Sequence, residues 1–192
     1  MRSARIERKT KETEILCKVD LDGNGKSDIQ TGIGFFNHMM ELFAFHSGMD
    51  ITLICKGDLD VDDHHSIEDC GIALGQCIRA ALGDKKGIER YGYFILPMDE
   101  SQATCALDFS GRPYLVFDCA FHRDTVGTMA TEMAEEFFRA LSENAGITLH
   151  LHCYGRNDHH QMEALFKGTA RAMKTAVKVT SDQIVSSKGV LE

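Results

Sequence analysis

The hexapeptide Asp63-His64-His65-Ser66-Ile67-Glu68 occurs again later in the chain as Asp158-His159-His160-Gln161-Met162-Glu163. Both copies read Asp-His-His-x-x-Glu, and a polar hexapeptide has no packing reason to occur twice. The flanking sequence agrees, because residues 48–57 (GMDITLICKG) and 146–155 (GITLHLHCYG) align without a gap. The chain is therefore predicted to be an internally duplicated module, with two similar halves (residues 1–90 and 91–192) in a single compact unit.

Hydrophobic periodicity predicts the same order of elements in both halves, which is a helix, a strand and a second helix that begins at the repeated hexapeptide. Asp63 and Asp158 are expected at the N-cap positions of the second helices. A hairpin is expected at Asp22-Gly23-Asn24-Gly25. The upstream helices are expected near 35–46 and 130–144, and further strands near 15–21, 26–31, 91–96, 102–109 and 114–121. Together these elements predict an α+β fold, in which each half has a small sheet packed by two helices.

Composition excludes several classes of protein. The 192 residues include 29 acidic and 21 basic side chains, and a net charge of −8 argues against a nucleic-acid partner. No uninterrupted apolar run is long enough to span a membrane, and the charged N-terminal stretch has no secretory signal pattern. The seven cysteines are odd in number and form no Cys-x-x-Cys pair. They indicate reduced thiols and a cytoplasmic location.

The repeated hexapeptide has the chemistry of a metal site. On a helix, His64 and Glu68 share one face, whereas His65 is turned by about 100° from His64. Adjacent imidazoles therefore diverge, which favours two ions rather than one. Each ion is expected to take the His/Glu pair of one copy and the second His of the other. His38 and Glu136 hold equivalent upstream positions and complete the two sets, which are His64, Glu68, His160 and Glu136 for one ion, and His159, Glu163, His65 and His38 for the other.

Imidazole and carboxylate donors without thiolate suit Mn, Fe, Zn or Ni. Four protein ligands leave two open positions on a six-coordinate ion, but they would fill a tetrahedral zinc site. The donor set therefore favours Mn²⁺, with Fe²⁺ as the second choice. Glu135, next to Glu136, leaves open which of these two carboxylates points inward. His122, His150 and His152 have no counterpart in the other half and are assigned no ligand role.

Six stretches of the chain match one known family: Lys11-Glu12-Thr13, 38–46, 62–69, Ser110-Gly111-Arg112-Pro113-Tyr114, 157–167 and 186–191. Through them the sequence resembles the imidazoleglycerol-phosphate dehydratases over essentially its whole length. The resemblance implies a hydro-lyase of L-histidine biosynthesis with two Mn²⁺ per active site. It also implies a large symmetric homo-oligomer, of 24 subunits, whose active sites are shared between subunits. The implied reaction is loss of water from imidazole glycerol phosphate to give imidazole acetol phosphate.

The resemblance also assigns roles to individual residues. It implies metal ligation by His38, His64, His65, Glu68, His159, His160 and Glu163, and substrate binding by Glu12, His38, His46, Arg90, Arg112, Ser186, Ser187 and Lys188. Glu12 is the candidate for the catalytic proton shuttle; the alternative is a solvated side chain beside Lys9 and Lys11. Many relatives have His where this chain has Glu136, and Asp where it has Asn37.

Two other classes of function use the same residues. A di-metal phosphatase would place the ligands around a bridging water and release phosphate from simple phosphoesters. A metal-storage or structural protein would have closed coordination shells and need no small-molecule ligand. Arg90, Arg112 and Lys188 argue against the second class, because an anion-binding set has no purpose without an anion.

Overall fold

The computed structural model describes residues 2–191, so that only Met1 and Glu192, the outermost residues of the two predicted halves, lie outside it. The first half contains β1 (Ser3–Lys9), β2 (Thr13–Asp20), β3 (Ser27–Gln30), α1 (Gly34–Ser47), β4 (Asp50–Gly57) and α2 (His64–Leu82). The second half contains β5 (Tyr91–Met98), β6 (Ser101–Asp108), β7 (Tyr114–Cys119), β8 (Thr125–Val126), β9 (Met129–Ala130), α3 (Met133–Ala145), β10 (Thr148–Tyr154) and α4 (Asp158–Ala176).

The two halves have the same sheet topology. The first sheet has the order β1-β2-β4-β3 and the second the order β5-β6-β10-β7. In both sheets the last strand pairs in parallel with its neighbour, and the other pairs are antiparallel. The α+β fold class and the duplicated module are thus confirmed. The hairpin of β8 and β9 occurs only in the second half.

The predicted hairpin at residues 22–25 is wrong. β2 forms its hairpin with β1, whereas β3 pairs with β4 on the other side. The Asp50 carboxylate, at the start of β4, accepts hydrogen bonds from the backbone N–H groups of Asn24 and Lys26, at 2.7 and 2.9 Å. These bonds hold the loop where it crosses the start of β4, from β2 on one side of that strand to β3 on the other. They form because a carboxylate can satisfy loop N–H groups that no neighbouring strand reaches.

The core lies between the sheets and the helices. In β10 the side chains of Leu149, Leu151 and Cys153 are buried, and those between them are exposed, as the alternating pattern predicts. Helix α2 packs on α3, and α1 packs on α4, so helices of the two halves contact each other. The α2–α3 contact is close because Gly71 has no side chain. A Cβ atom there would lie 2.9 Å from the Phe137 carbonyl oxygen.

Asp63 holds the N-cap position of α2, as predicted, and Asp158 is the first residue of α4, but neither carboxylate caps its own helix. The carboxylate of Asp63 accepts a hydrogen bond from the Ala130 N–H at 2.7 Å, and that of Asp158 accepts from the N–H of Arg123 at 2.7 Å. Asn157 caps α4 instead. The predicted N-cap position is confirmed for Asp63 and wrong for Asp158, and both carboxylates bind the segment at residues 120–131 instead of their own helices. This one segment thereby ties the starts of α2 and α4 together.

Across residues 2–191, no helix combines the length and the apolar character needed to cross a membrane.

Candidate functional site

Two helix N-termini bring three predicted ligands together. His38 lies in the second turn of α1, and His159 and Glu163 lie one above the other in the first turns of α4. The Oε1 atom of Glu163 lies 3.0 Å from Nε2 of His38 and 3.0 Å from Nε2 of His159. One ligand atom from each residue falls within 4.8 Å of the others. Two imidazole nitrogens and a carboxylate oxygen at this spacing fit a divalent cation of the Mn, Fe or Zn type.

Glu163 is the buried member of this cluster, with 9% of its side chain exposed. Burial opposes its ionisation, but hydrogen bonds from Lys167, His38 and His159 outweigh that effect and lower its pKa to about 2. Lys167, one turn further along α4, forms an ion pair with the second oxygen of Glu163. The rings of Phe35 and His159 pack edge to face, with their centroids 5.0 Å apart. The carboxylate is therefore ionised and ready to bind a cation at neutral pH.

The two imidazoles of each doublet diverge. The ring centroids of His64 and His65 are 6.2 Å apart with an angle of 77° between the planes, and those of His159 and His160 are 6.1 Å apart at 83°. The expected divergence of adjacent imidazoles is thus confirmed. Within this chain the second member of each doublet contacts a carboxylate outside the ligand pair of its own helix.

The second imidazole of each doublet contacts a carboxylate through Nδ1. His65 Nδ1 lies 3.0 Å from Oδ2 of Asp58, and His160 Nδ1 lies 2.8 Å from Oε2 of Glu100. The hydrogen bond to Asp58 raises the pKa of His65, and the hydrogen bond to Glu100 raises the pKa of His160. The same bond to His160 is the main cause that lowers the pKa of Glu100.

The other predicted ligand set is only partly assembled within one chain. His64 Nε2 lies 3.5 Å from Oε2 of Glu68 on the same helix. Glu136 Oε2 lies 3.7 Å from Arg139, and Glu135 forms an ion pair with the same arginine. Across the described residues the only three-ligand group is that of His38, His159 and Glu163. Ligation by Glu136, with Glu135 as the alternative, stays a prediction.

The predicted anion-binding residues lie at one end of the second sheet, opposite the end near which α4 begins. The side chain of Arg90 is largely buried and donates two hydrogen bonds to Asp108, at the end of β6, at 2.7 and 3.0 Å. Its third bond, at 2.7 Å, reaches the carbonyl oxygen of Val185 in the C-terminal segment. Arg112 and Lys188 are exposed, and their charged ends have no hydrogen-bond or ion-pair partner within residues 2–191. Ser186 and Ser187 lie in the same C-terminal turn as Lys188.

Arg90 is far from the cluster of His38, His159 and Glu163 in the same chain. The backbone N–H of Arg90 donates to the carbonyl oxygen of Ala176, the last residue of α4. Glu163 lies near the first turn of that helix, so the two positions are about 20 Å apart along its axis. One small molecule cannot contact both sites of one chain.

The remaining predicted residues lie elsewhere. Glu12 occupies the turn between β1 and β2, where its carboxylate is exposed and has no hydrogen bond among the described residues, although its charge reaches His65. His46 lies in the last turn of α1, and burial together with the charges of Lys167 and Arg171 lowers its pKa.

Sequence reasoning missed three residues that contact the predicted ligands. Lys167 could have been found, because it lies four residues after Glu163 on the same helix face. Asp58 and Glu100 had no such signal, because the loops that carry them meet the histidines only in the folded chain.

Known proteins resemble this chain over its full length. A family model described as imidazoleglycerol-phosphate dehydratase matches residues 31–173. An imidazoleglycerol-phosphate dehydratase from Chloroherpeton thalassium is 56% identical and covers 99% of this chain and 98% of its own. A bifunctional histidine biosynthesis protein from Campylobacter jejuni is 54% identical over 99% of this chain, which spans 53% of it.

A solved structure agrees with the sequence comparisons. The crystal structure of imidazoleglycerol-phosphate dehydratase from Staphylococcus aureus superimposes with a TM-score of 0.84 at 41% identity, and covers 93% of this chain and 99% of its own. A family model that matches most of the chain and a full-length relative at this identity leave one assignment. The chain belongs to the imidazoleglycerol-phosphate dehydratase family, a family of hydro-lyases.

Proposed function

We propose that the chain catalyses the loss of water from imidazole glycerol phosphate to give imidazole acetol phosphate, a step of L-histidine biosynthesis. The observation that carries this proposal is the cluster of His38, His159 and Glu163, in a chain whose full-length relatives are named as dehydratases. The reaction breaks one C–H and one C–O bond. The site must therefore hold the ring, take up a proton and let water leave.

The proposed cofactor is a pair of Mn²⁺ ions per active site, with Fe²⁺ as the second choice. His38, His159 and Glu163 would hold one ion together with His65 of a second copy, and His64, Glu68 and Glu136 would hold the other together with His160 of a second copy. Bound there, the ions would act as Lewis acids toward the imidazole and hydroxyl groups of the substrate. The divergence of each doublet supports this sharing, because His65 and His160 contact Asp58 and Glu100 rather than the ligand pairs of their own chain.

The active site is proposed to be shared between copies of the chain. The substrate carries an imidazole at one end and a phosphate at the other, so both ends have to be bound at once. In one chain the ligand cluster and the cations near Arg90 are separated by most of the length of α4. The distance from Glu163 to Ala176 along the helix is about 20 Å. A second copy that presents its C-terminal turn to the cluster removes this conflict. We therefore propose a homo-oligomer, of 24 subunits as the family resemblance implies.

The remaining chemistry falls to side chains of this chain. Arg112 and Lys188 are free to bind the phosphate, and the hydroxyl groups of Ser186 and Ser187 add donors. Arg90 would contribute through its remaining N–H and by holding the turn at Val185. The free carboxylate of Glu12 would take the proton from carbon and pass it to the departing hydroxyl.

One experiment separates this function from its alternatives. The chain is loaded with Mn²⁺, mixed with imidazole glycerol phosphate, and the products are identified by mass spectrometry. A product lighter by one water, with a new ketone and its phosphate retained, is expected. Release of inorganic phosphate would instead indicate a phosphatase, and tight metal binding without turnover would indicate storage.

A cytoplasmic location stays a prediction that rests on the seven unpaired cysteines.

A further inference from the structure

The second imidazole of each doublet is held by a carboxylate from a different part of the duplicated module. Asp58, which holds His65, directly follows β4. Glu100, which holds His160, lies in the turn between β5 and β6. The two halves thus reach the same contact, a carboxylate on Nδ1, by different routes.

Strand register identifies the counterpart of each carboxylate. Lys56 pairs with Glu14 in the first sheet, and Tyr154 pairs with Gln102 at the equivalent place in the second. Counting back two residues from Glu14 and from Gln102 makes Glu12 the counterpart of Glu100. Counting forward two residues from Lys56 and from Tyr154 places Arg156 at the position of Asp58, so the equivalent position after β10 carries no carboxylate.

Glu100 is fixed in place before it contacts the histidine. Its Oε1 atom accepts hydrogen bonds from the backbone N–H groups of Arg156 and Asn157, at 3.0 and 2.8 Å, and from the hydroxyl of Ser101 at 3.0 Å. Asn157 in turn accepts from the backbone N–H of His160 as the cap of α4. The free Oε2 of Glu100 is therefore held toward Nδ1 of His160 with little freedom to move.

We propose that Glu100 is a positioning residue that holds His160 as the Nδ1–H tautomer, which leaves the Nε2 lone pair to accept a cation. Nε2 lies 3.8 Å from Oδ2 of Asp99, beyond hydrogen-bond distance. A carboxylate accepts hydrogen bonds only, so the ring nitrogen that it contacts must carry the hydrogen. Asp58 does the same for His65. Asp58 takes that role in the first half. Glu12, the counterpart of Glu100 there, is therefore left free for the substrate. The cation-binding part of this inference rests on the proposed function, whereas the tautomer does not.

The first test uses the metal-free protein and NMR of the histidine ring nitrogens, with His160→Gln to assign the signals. In the unaltered chain, His160 is expected as the Nδ1–H tautomer. Glu100→Ala is expected to convert it mainly to the Nε2–H tautomer, and Glu100→Gln, which keeps an acceptor oxygen, is expected to retain Nδ1–H. An unchanged tautomer in Glu100→Ala would overturn the proposal, whatever the fate of the proposed function.

The second test measures binding of Mn²⁺ alone. Loss of a carboxylate that orients a ligand typically weakens metal binding by about 10-fold to 100-fold. Glu100→Ala is expected to fall in this range, Glu100→Gln to recover much of the loss, and Glu143→Gln, the same change at an exposed helix position, to have no effect.

A double-variant cycle separates positioning from damage to the loop that precedes α4. If Glu100 acts through His160, Glu100→Ala has little further effect on Mn²⁺ binding in a His160→Ala background. An equal loss in both backgrounds would assign Glu100 to loop structure alone and overturn the proposal.

Discussion

Nε2 of His38 lies 3.0 Å from Oε1 of Glu163, although 125 positions separate the two residues in the sequence. The contact joins the first half of the duplicated module to the second through the starts of α1 and α4. Since the same oxygen also contacts His159, Glu163 is the shared member of the cluster.

Replacement of Glu163 is therefore expected to remove a metal site. Glu163→Gln keeps the size of the side chain but loses its charge, so bound Mn²⁺ should fall after dialysis. Activity should fall by more than about 100-fold, beyond what residues that only orient a ligand cost. Metal analysis and turnover are measured together, with Glu143→Gln as the control. Normal metal content with normal turnover would exclude Glu163 from the ligand set.

Sharing of the active site predicts complementation between inactive variants. His159→Ala removes a cluster ligand and Arg112→Ala removes a phosphate contact, so each variant alone should be nearly inactive. Co-expressed in equal amounts, they should recover roughly a quarter of wild-type activity, because random assembly leaves about one shared site in four intact. Activity of the purified mixed oligomer is the measurement. If all site residues came from one chain, the mixture would be as inactive as its components.

Two cations near the C-terminal segment are expected to respond differently to substitution. Lys188 is exposed and unpaired within residues 2–191, so Lys188→Ala should raise KM by about 10-fold to 100-fold without changing Tm. Arg90 holds Asp108 and Val185, so Arg90→Ala should also destabilise the fold by about 2 kcal/mol. Steady-state kinetics and thermal unfolding distinguish the two. An unchanged KM in Lys188→Ala would show that this side chain does not bind the phosphate.

The close contact of α2 with α3 predicts that Gly71 tolerates no side chain. A Cβ atom at Gly71 would lie 2.9 Å from both the carbonyl oxygen of Phe137 and the Cβ of Ala140, so Gly71→Ala should destabilise the protein by about 1–3 kcal/mol. Gly34→Ala is the matched control, because no atom lies within 4 Å of a Cβ there. Urea unfolding compares the two variants. Equal free energies of unfolding for the two variants would show that α2 and α3 can move apart without loss of stability, and would contradict the prediction.

Acid should weaken the loop that crosses the start of β4. Hydrogen bonds from the N–H groups of Lys26 and Asn24 lower the pKa of Asp50 below its ordinary value of 3.8. The unfolded chain therefore takes up this proton at a higher pH than the folded chain. The stabilisation is present above about pH 4 and is lost as the pH falls through the folded-state value.

Asp50→Asn, which keeps an acceptor oxygen but cannot titrate, provides the test. Between pH 5 and pH 3 the free energy of unfolding should fall more for the wild type than for this variant, as measured by urea unfolding. Parallel pH profiles would exclude Asp50 as a contributor to acid sensitivity. Asp60→Asn, at an exposed loop position, should follow the wild type.

Sequence patterns alone predicted the duplication, the types of the main elements and the divergence of the histidine doublets. These features depend on residues that are near neighbours along the chain: an i, i+4 spacing places His159 above Glu163, and adjacent positions turn His160 away, in any helix. The grouping of His38 with His159 and Glu163 was also predicted, because the repeat gives His38 and Glu136 equivalent places, one in each ligand set.

The folded structure was needed to show which distant segments meet. The hairpin at residues 22–25 and the N-cap at Asp158 were wrong, and the carboxylate of Asp63 bonds outside its own helix. Asp50 and the segment at 120–131 provide partners that no local pattern reveals. The contacts of Asp58 with His65 and of Glu100 with His160, and the distance of Arg90 from the cluster, were equally hidden. Each depends on the order of strands in the sheets and on helix packing between the halves, which the whole chain determines together.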